Sequence, residues 1–380
     1  MSKEIVLITG GAGFIGKNLA LSLLKDGIPV RSLDNLSSQV HGELPKDLEW
    51  LDDGNLEFIR GSILNKELLK KSLKDVSTIF HLAAETGTGQ SMYEIYKYSE
   101  VNVQATSLLL DIILKEKLNI KKIILSSSSS IYGEGVYSCK NCKGLRINPD
   151  SRKAFDLSNH QWDFKCKNCN QFINPIPTKE LDPINPASIY AATKLVQEDL
   201  IKITCRALDI DYAILRLQNV YGEGQSVKNP YTGIISIFSN LIKNNKSLNV
   251  FEDGNETRDF VHVKDVVDVM KLCHFSNNRI SDVINVGSGN PTSIFKVATL
   301  LRDFMNSDVD INITGEYRLG DIRHNYADIE NLKKKLFFTP NINIEKGLEL
   351  FINWVADQPV EEDRLDLANK KLKEYNLFGS

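Results

Sequence analysis

The sequence predicts an α/β fold, a doubly wound parallel sheet with a smaller mixed α/β unit and a short cysteine-bearing insertion. Three observations predict it. Over the first 130 residues short apolar runs alternate with longer amphipathic stretches, the pattern of a parallel sheet covered by helices. Glycines end the first apolar run and open the first amphipathic one. The alternation stops after Gly133 and returns at Ser188, with four cysteines in the gap.

The elements follow in order. Residues 5–8 are a continuous apolar strand, and 14–24 a helix with Ile15, Leu19 and Leu23 on one face. Strands follow over 28–33, 56–59 and 76–82, then a helix over 101–114 and a fifth strand over 123–125 that ends in serines. Residues 136–176 are polar and aromatic without helical periodicity. A strong helix spans 188–207 and a strand 212–217. Residues 254–266 read as a turn, a strand and a helix start, and 283–286 as a strand ending in glycines. The charge-rich stretch 360–377 reads as a peripheral helix or tail.

Composition narrows the function classes. A chain of 380 residues with 42% hydrophobic and 25% charged residues is ordinary globular material, at about 150 residues per domain enough for two or three domains. The net charge of −3 argues against a broad basic face for nucleic acid. No apolar run reaches the length of a membrane span, and the start, Met1-Ser2-Lys3, lacks a signal peptide's apolar stretch. The expectation is a cytoplasmic protein without nucleic-acid or membrane partners.

The glycine turn is Thr9-Gly10-Gly11-Ala12-Gly13-Phe14-Ile15-Gly16. Glycines at this spacing between a strand and a helix allow a tight turn, a close backbone approach to a pyrophosphate and close helix packing. The sheet is therefore expected to be of the Rossmann type. Asp34 follows Gly16 by 18 positions at the end of the second strand. A carboxylate there accepts hydrogen bonds from a ribose diol and repels a 2′-phosphate. Asn35-Leu36-Ser37 offers no cation for such a phosphate, so the cofactor read from these residues is NAD. A glycine-rich turn beside a surface acid is the bland alternative, which the strand–turn–helix context disfavours.

Tyr190 and Lys194 stand four residues apart where the helix of 188–207 opens, hence on one helix face. A neighbouring ammonium favours phenolate, which makes Tyr190 a candidate general base. Alone the pair could be a solvated helix face. Ser126 to Ser130 add weight, because they end a strand at the rim where open parallel sheets bind ligands.

These stretches together resemble an extended short-chain dehydrogenase/reductase of the sugar-nucleotide epimerase group. The match adds His81-Leu82-Ala83-Ala84, Arg258-Asp259-Phe260-Val261-His262-Val263 and Asn285-Val286-Gly287-Ser288-Gly289. The resemblance implies a catalytic set of Ser128, Tyr190 and Lys194. It implies an NAD site lined by Gly10, Gly13, Phe14, Ile15, Gly16, Asp34, Asn35, Ser37, Ser62, Ile63, Leu82, Ala83, Ala84 and Asn102, with Tyr190 and Lys194 at the nicotinamide end. Asn219, Arg258, Arg318 and Asp321 match residues that grip a nucleotide diphosphate; arginine's planar fork suits phosphate. One departure is Ser62, where the family usually carries an Asp against adenine.

The same resemblance orders the possible reactions. Relatives that dehydrate carry an Asp-Glu pair directly after the catalytic Ser/Thr, where this chain has Ser129 and Ser130. Decarboxylases also use an acid in this stretch. A reductase would draw on NADPH, which Asp34 disfavours. Epimerisation with retained NAD remains, through a transient 4-keto sugar. Gly87 to Tyr93, Gln218 to Gly222, Asn229-Pro230-Tyr231-Thr232-Gly233 and Gly320 to His324 resemble the dTDP-L-rhamnose 4-epimerase subgroup. On that analogy Thr88, Gln90, Ser91 and Tyr231 line the sugar pocket. A UDP-hexose or UDP-HexNAc 4-epimerase and a 4-keto-sugar-nucleotide reductase are the alternatives.

Cys139, Cys142, Cys166 and Cys169 form CxxC-x23-CxxC. Two such knuckles suit one tetrahedral, structural zinc with no open position; redox-active pairs are the weaker reading. A zinc-ribbon binding module carried on an inactive enzyme fold is the contrasting class of function. The expected layout is a Rossmann domain over 1–135, the zinc ribbon over 136–176, and a catalytic helix returning to the sheet over 177–220. Substrate-domain parts follow over 221–257 and 291–358, with an interleaved sheet segment at 258–290 and a peripheral tail at 359–380. Relatives often dimerise through helices matching 101–114 and 188–207, so a homodimer is expected.

Overall fold

The computed structural model describes residues 4–42, 49–142, 144–231, 233–362 and 365–379. The start Met1-Ser2-Lys3 and Thr232 lie outside the described residues. Seven strands, β1 (Ile5–Thr9), β2 (Val30–Asp34), β3 (Leu56–Arg60), β4 (Val76–His81), β5 (Lys122–Ser128), β6 (Asp211–Leu217) and β7 (Asp282–Val286), form the main sheet. Its order is β7-β6-β5-β4-β1-β2-β3 and every pairing is parallel. Val6, Leu7 and Ile8 are wholly buried, as expected where helices cover both faces. Val6 and Ile8 pack with Leu19, Leu23, Val266 and Met270 on one face. Leu7 packs with Leu109, Ile113 and Ile201 on the other. The strand order reverses between β1 and β4, which opens a crevice at the strands' carboxyl ends.

A second core gathers Tyr221, Phe238, Leu241, Val250, Phe260, Val297, Leu301, Leu348 and Phe351. It lies under the helices Ile234–Lys243, Ile294–Phe304 and Ile344–Ala356. Its central strand, Thr257–His262, pairs in parallel with Asn219–Tyr221 and His324–Asn325 and antiparallel with Pro291–Ser293. The insertion is a three-stranded antiparallel sheet of Val136–Ser138, Arg146–Ile147 and Asn174–Ile176. It also carries one short helix, Ala154–Ser158. Its Leu157 and Trp162 pack on Tyr317, so it is fastened to the second core's side of the molecule.

One expectation changes and another narrows. The helix expected over 101–114 begins as a π-helical turn, Ser99–Gln104, and becomes α-helical over Ala105–Lys115. The buried Asn102 in that turn bonds to the loop at Glu85 rather than facing outward. The C-terminal stretch, expected as a peripheral helix or tail, is a helix that packs against the rest of the molecule. The helix, Leu365–Glu374, buries Ala368 and Leu372, and Phe378–Gly379 pairs antiparallel with Tyr317–Arg318.

Candidate active site

The crevice opens into a cleft of about 1340 Å³ that runs from the glycine turn, past the serines of β5, to the C-terminal helix. It exceeds the ~300–1,000 Å³ of a pocket for one small ligand. At the glycine end, Gly10 holds φ +70°, a conformation that favours glycine. A Cβ at Gly16 would come within 2.2 Å of the Gly10 carbonyl oxygen. The helix Phe14–Lys25 then starts at Gly13 without a side-chain cap, leaving its first N–H groups for an anion. Asp34 is buried, and its two oxygens accept from the Ala12 N–H at 3.0 Å and the Leu36 N–H at 2.8 Å. That grip aims the carboxylate at the cleft with lone pairs left over for a diol. The turn, the uncapped helix end and the fixed acid fit a dinucleotide without a 2′-phosphate.

Phe14, Ile15, Asn35, Ser37, Ser62, Ile63, Leu82, Ala83 and Ala84 also line this end. Ser62 Oγ accepts from the Leu64 N–H at 3.1 Å, so it closes a turn while standing beside the cleft. Asn102 does not line it. Its side-chain oxygen accepts from the Glu85 N–H at 2.8 Å, and its amide donates to Thr193 Oγ1 at 3.0 Å. It ties the cleft's loop to the helix Ile189–Ala207 from behind.

Ser128, Tyr190 and Lys194 meet on the cleft wall. The cap by Ser188, whose Oγ accepts from the Ala191 N–H at 3.2 Å, fixes the helix end that presents Tyr190. The Tyr190 ring stands edge-on to Tyr98, 6.4 Å between centroids. Lys194 donates from Nζ to the Ser126 carbonyl at 2.9 Å, and Nζ lies 5.9 Å from the Tyr190 ring centroid. Burial pushes the Tyr190 phenol up to about 12, with the Ser128 hydroxyl pulling the other way. Burial also lowers the Lys194 ammonium to about 7, against the attraction of Glu198. The expectation that Lys194 lowers the phenol is therefore outweighed here by desolvation of both groups.

Two supporting networks were missed in the sequence. Thr9 Oγ1, His81 and Thr106 Oγ1 form a buried chain, each contact 2.9 Å. Burial holds the His81 imidazole down at about 3. The Glu198 carboxylate accepts from Nε and Nη2 of Arg216 at 3.0 and 2.9 Å and from Ser127 Oγ at 2.5 Å. Glu198 continues the i, i+4 face of Tyr190 and Lys194, which is the one signal that could have found it.

At the far end Thr88, Asn219, Tyr231, Arg258, Arg318 and Asp321 line the cleft. Arg318 stacks over Phe251 with its guanidinium 4.7 Å from the ring centroid, donates to Asn369 at 3.0 Å and has no partner for its Nε among the described residues. Tyr231 and Tyr93 share a hydroxyl contact of 2.5 Å. Gln90 and Ser91 are corrections. Both are buried beside the cleft rather than in its wall. Gln90 pairs with Gln39 at 2.9 Å, and Ser91 Oγ donates to the Thr88 carbonyl at 2.6 Å. Leu365, Ala368, Asn369 and Leu372 of the C-terminal helix close this end.

The sulfurs of Cys139, Cys142, Cys166 and Cys169 all lie within 4.8 Å of one another, with 3.4 Å from Cys139 to Cys169 and 3.8 Å from Cys142 to Cys166. A tetrahedral zinc with Zn–S bonds of about 2.3 Å needs sulfurs about 3.8 Å apart. The four cysteines are free of disulfides, and the donor set fits that ion.

Residues 6–287 match the family described as NAD dependent epimerase/dehydratase. The chain is 34% identical to a dTDP-L-rhamnose 4-epimerase of Burkholderia thailandensis, covering 93% of this chain and 95% of the relative. It is 31% identical to a putative UDP-glucose 4-epimerase of Methanocaldococcus jannaschii, covering 93% and 99%. A UDP-N-acetylglucosamine 4-epimerase of Methanobrevibacter ruminantium superposes with a TM-score of 0.75 at 31% identity, covering 94% and 100%.

Proposed function

The chain belongs to the NAD dependent epimerase/dehydratase family as an NAD-dependent sugar-nucleotide epimerase, and we propose that it inverts C4 of a dTDP-6-deoxyhexose resembling dTDP-L-rhamnose. The observation that carries the reading is one continuous cleft holding the glycine turn, Ser128, Tyr190, Lys194 and the arginines 258 and 318. The residues assigned to NAD are the glycine turn, Asp34 and the lining around Ser62 and Leu82–Ala84. Bound NAD supplies reversible oxidation at the sugar carbon. Burial holds the Tyr190 phenol high in the ligand-free site; the positive charge of a bound oxidised nicotinamide would favour phenolate, and in that form Tyr190 would take the C4 hydroxyl proton, helped by the Ser128 hydroxyl, and later return it. Lys194 sits one turn along the same helix and holds the cofactor's ribose. Arg258, Arg318 and Asn219 hold the diphosphate while the 4-keto sugar turns between its two faces. Ser129 and Ser130 leave no carboxylate beside Ser128 for eliminating water.

The four cysteines hold a structural zinc in this reading. A homodimer through the helices Ala105–Lys115 and Ile189–Ala207 is supported by Leu114, Val196 and Ile203, which stay exposed on them. No helix among the described residues is long and apolar enough to cross a membrane; cytoplasmic residence belongs to the proposal. The test is incubation of the purified protein with dTDP-, UDP-, GDP- and CDP-hexoses, with the epimers resolved chromatographically. Turnover of dTDP-rhamnose, and slower turnover of UDP-glucose, is expected; turnover of UDP-sugars alone would reassign the nucleotide. Net consumption of NADH or NADPH would reassign the reaction to a reductase.

A further inference from the structure

The insertion sends two charged side chains beneath the diphosphate end of the cleft. Arg152 is 3% exposed. It donates from Nε to Glu134 at 3.1 Å, from one terminal nitrogen to both oxygens of Glu252 at 2.8 Å, and from the other to the Asp321 carbonyl at 2.9 Å. Asp163 accepts from Nε of Arg323 at 2.9 Å. Arg323, 2% exposed, also donates to Glu252 at 3.1 Å and to Asp253 at 2.6 and 2.8 Å. Its backbone N–H donates to Glu134 at 2.5 Å.

This cluster ends on the cleft wall. Arg258 donates to the carbonyls of Ile322 at 2.7 Å and Arg323 at 3.1 Å. Glu252, Arg258, Asp321 and Ile322 all line the cleft. The Arg258 guanidinium on the cleft wall is thus anchored on a loop that the insertion's own charges hold in place. Long-range pairing of this kind fixes geometry because each buried charge needs all its partners.

We propose that Arg152 and Asp163 are positioning residues for the nucleoside-diphosphate part of the substrate, and that the insertion acts as a brace for that subsite. The proposal rests on reading the cleft as a nucleotide-sugar site. Neither residue touches the cofactor end, so their loss separates the two ligands.

The test uses the full chain in its metal-loaded form. Binding of dTDP, UDP, GDP, CDP and NAD is measured by calorimetry for wild type, Arg152→Met, Arg152→Lys and Asp163→Asn, with KM and kcat for any sugar turned over. Arg152→Met is expected to weaken the preferred diphosphate by on the order of tenfold to a hundredfold, since it unpairs buried carboxylates. Arg152→Lys should recover part of that loss. Asp163 is half exposed, so Asp163→Asn keeps the fold and is expected to weaken the diphosphate by about threefold to tenfold. NAD affinity should stay within about twofold in all variants, and KM should rise while kcat holds. If Arg152→Met does not fold, Asp163→Asn decides. Wild-type diphosphate affinity in folded variants, or a parallel loss of NAD, overturns the brace. A wild type that binds NAD but none of dTDP, UDP, GDP and CDP overturns the nucleotide-sugar reading itself.

Discussion

Gly13 and Gly16 belong to one turn, yet the structure gives them different duties. A Cβ at Gly16 would lie 2.2 Å from the Gly10 carbonyl oxygen and 2.7 Å from the Gly11 Cα. Both are backbone atoms, so the first helix must retreat by about 1 Å from β1. Overpacking of that kind costs about 1–3 kcal/mol, and at ~2–4 °C per kcal/mol for a large domain the Tm of Gly16→Ala should fall by about 5 °C. At Gly13 the nearest atom to an added Cβ is 3.3 Å away, and φ is −67°, which alanine adopts freely. Gly13→Ala should therefore cost the fold about 1 kcal/mol or less. Its methyl would instead stand at the helix end where the pyrophosphate must approach, weakening NAD by on the order of tenfold or more. Thermal melts of the ligand-free protein and NAD calorimetry measure the two effects separately. The reasoning is refuted if Gly16→Ala melts with the wild type, or if Gly13→Ala loses as much stability as Gly16→Ala.

Other outcomes follow from the same geometry. Tyr190→Phe keeps the ring on Tyr98 and removes only the hydroxyl, so kcat should fall by about 10²–10⁴ with NAD affinity and Tm near wild type; activity above a tenth of wild type in an epimer assay would exclude Tyr190 as the acid–base group. Chelating the metal, or Cys166→Ser, should release about one zinc per chain by elemental analysis and lower the Tm, because a structural site contributes folding energy outright; metal-free protein with an unchanged melt would exclude a structural metal. His81 is held at about 3 by burial against an unfolded value of about 6.5, so between those values only the unfolded chain binds the proton. Stability should then fall as pH drops below 6.5, by about 3 kcal/mol at pH 4.5 from this group alone, and show no contribution from it above 6.5. His81→Asn should flatten that part of the Tm–pH curve, and an unchanged acid slope would count against it.

The sheet was legible because its strands are buried on both faces and so read as unbroken apolar runs, as in Val6-Leu7-Ile8. The glycine turn, Asp34, Tyr190 and Lys194 were legible because their spacing is local. Gln90, Ser91 and Asn102 are expected to line the cleft, and none of the three is in its wall. Which way a polar side chain turns depends on partners such as Gln39 and Thr193, far along the chain. The C-terminal stretch reads as a peripheral helix or tail because its surface is charged; in its helix only Ala368 and Leu372 are buried, too few to mark an inward-facing stripe. Arg152 and Glu252 are 100 positions apart, and a pair at that separation leaves no periodicity to read.

The insertion leaves the fold and returns to it at adjacent points, since Val136 pairs with Ile176. The excursion between them is a closed loop, and joining its ends directly adds little chain-closure entropy. By topology it is therefore a cassette that could be cut out between Ser128 and Tyr190 without rerouting the chain. Its electrostatics run the other way. Excision would remove Arg152 and Asp163, leaving Glu134, 2% exposed, without its ion-pair partner and Glu252, 5% exposed, with Arg323 alone. Any descendant that sheds the cassette has to neutralise Glu134 in the same stroke, so gain or loss of the insertion is coupled to substitutions outside it.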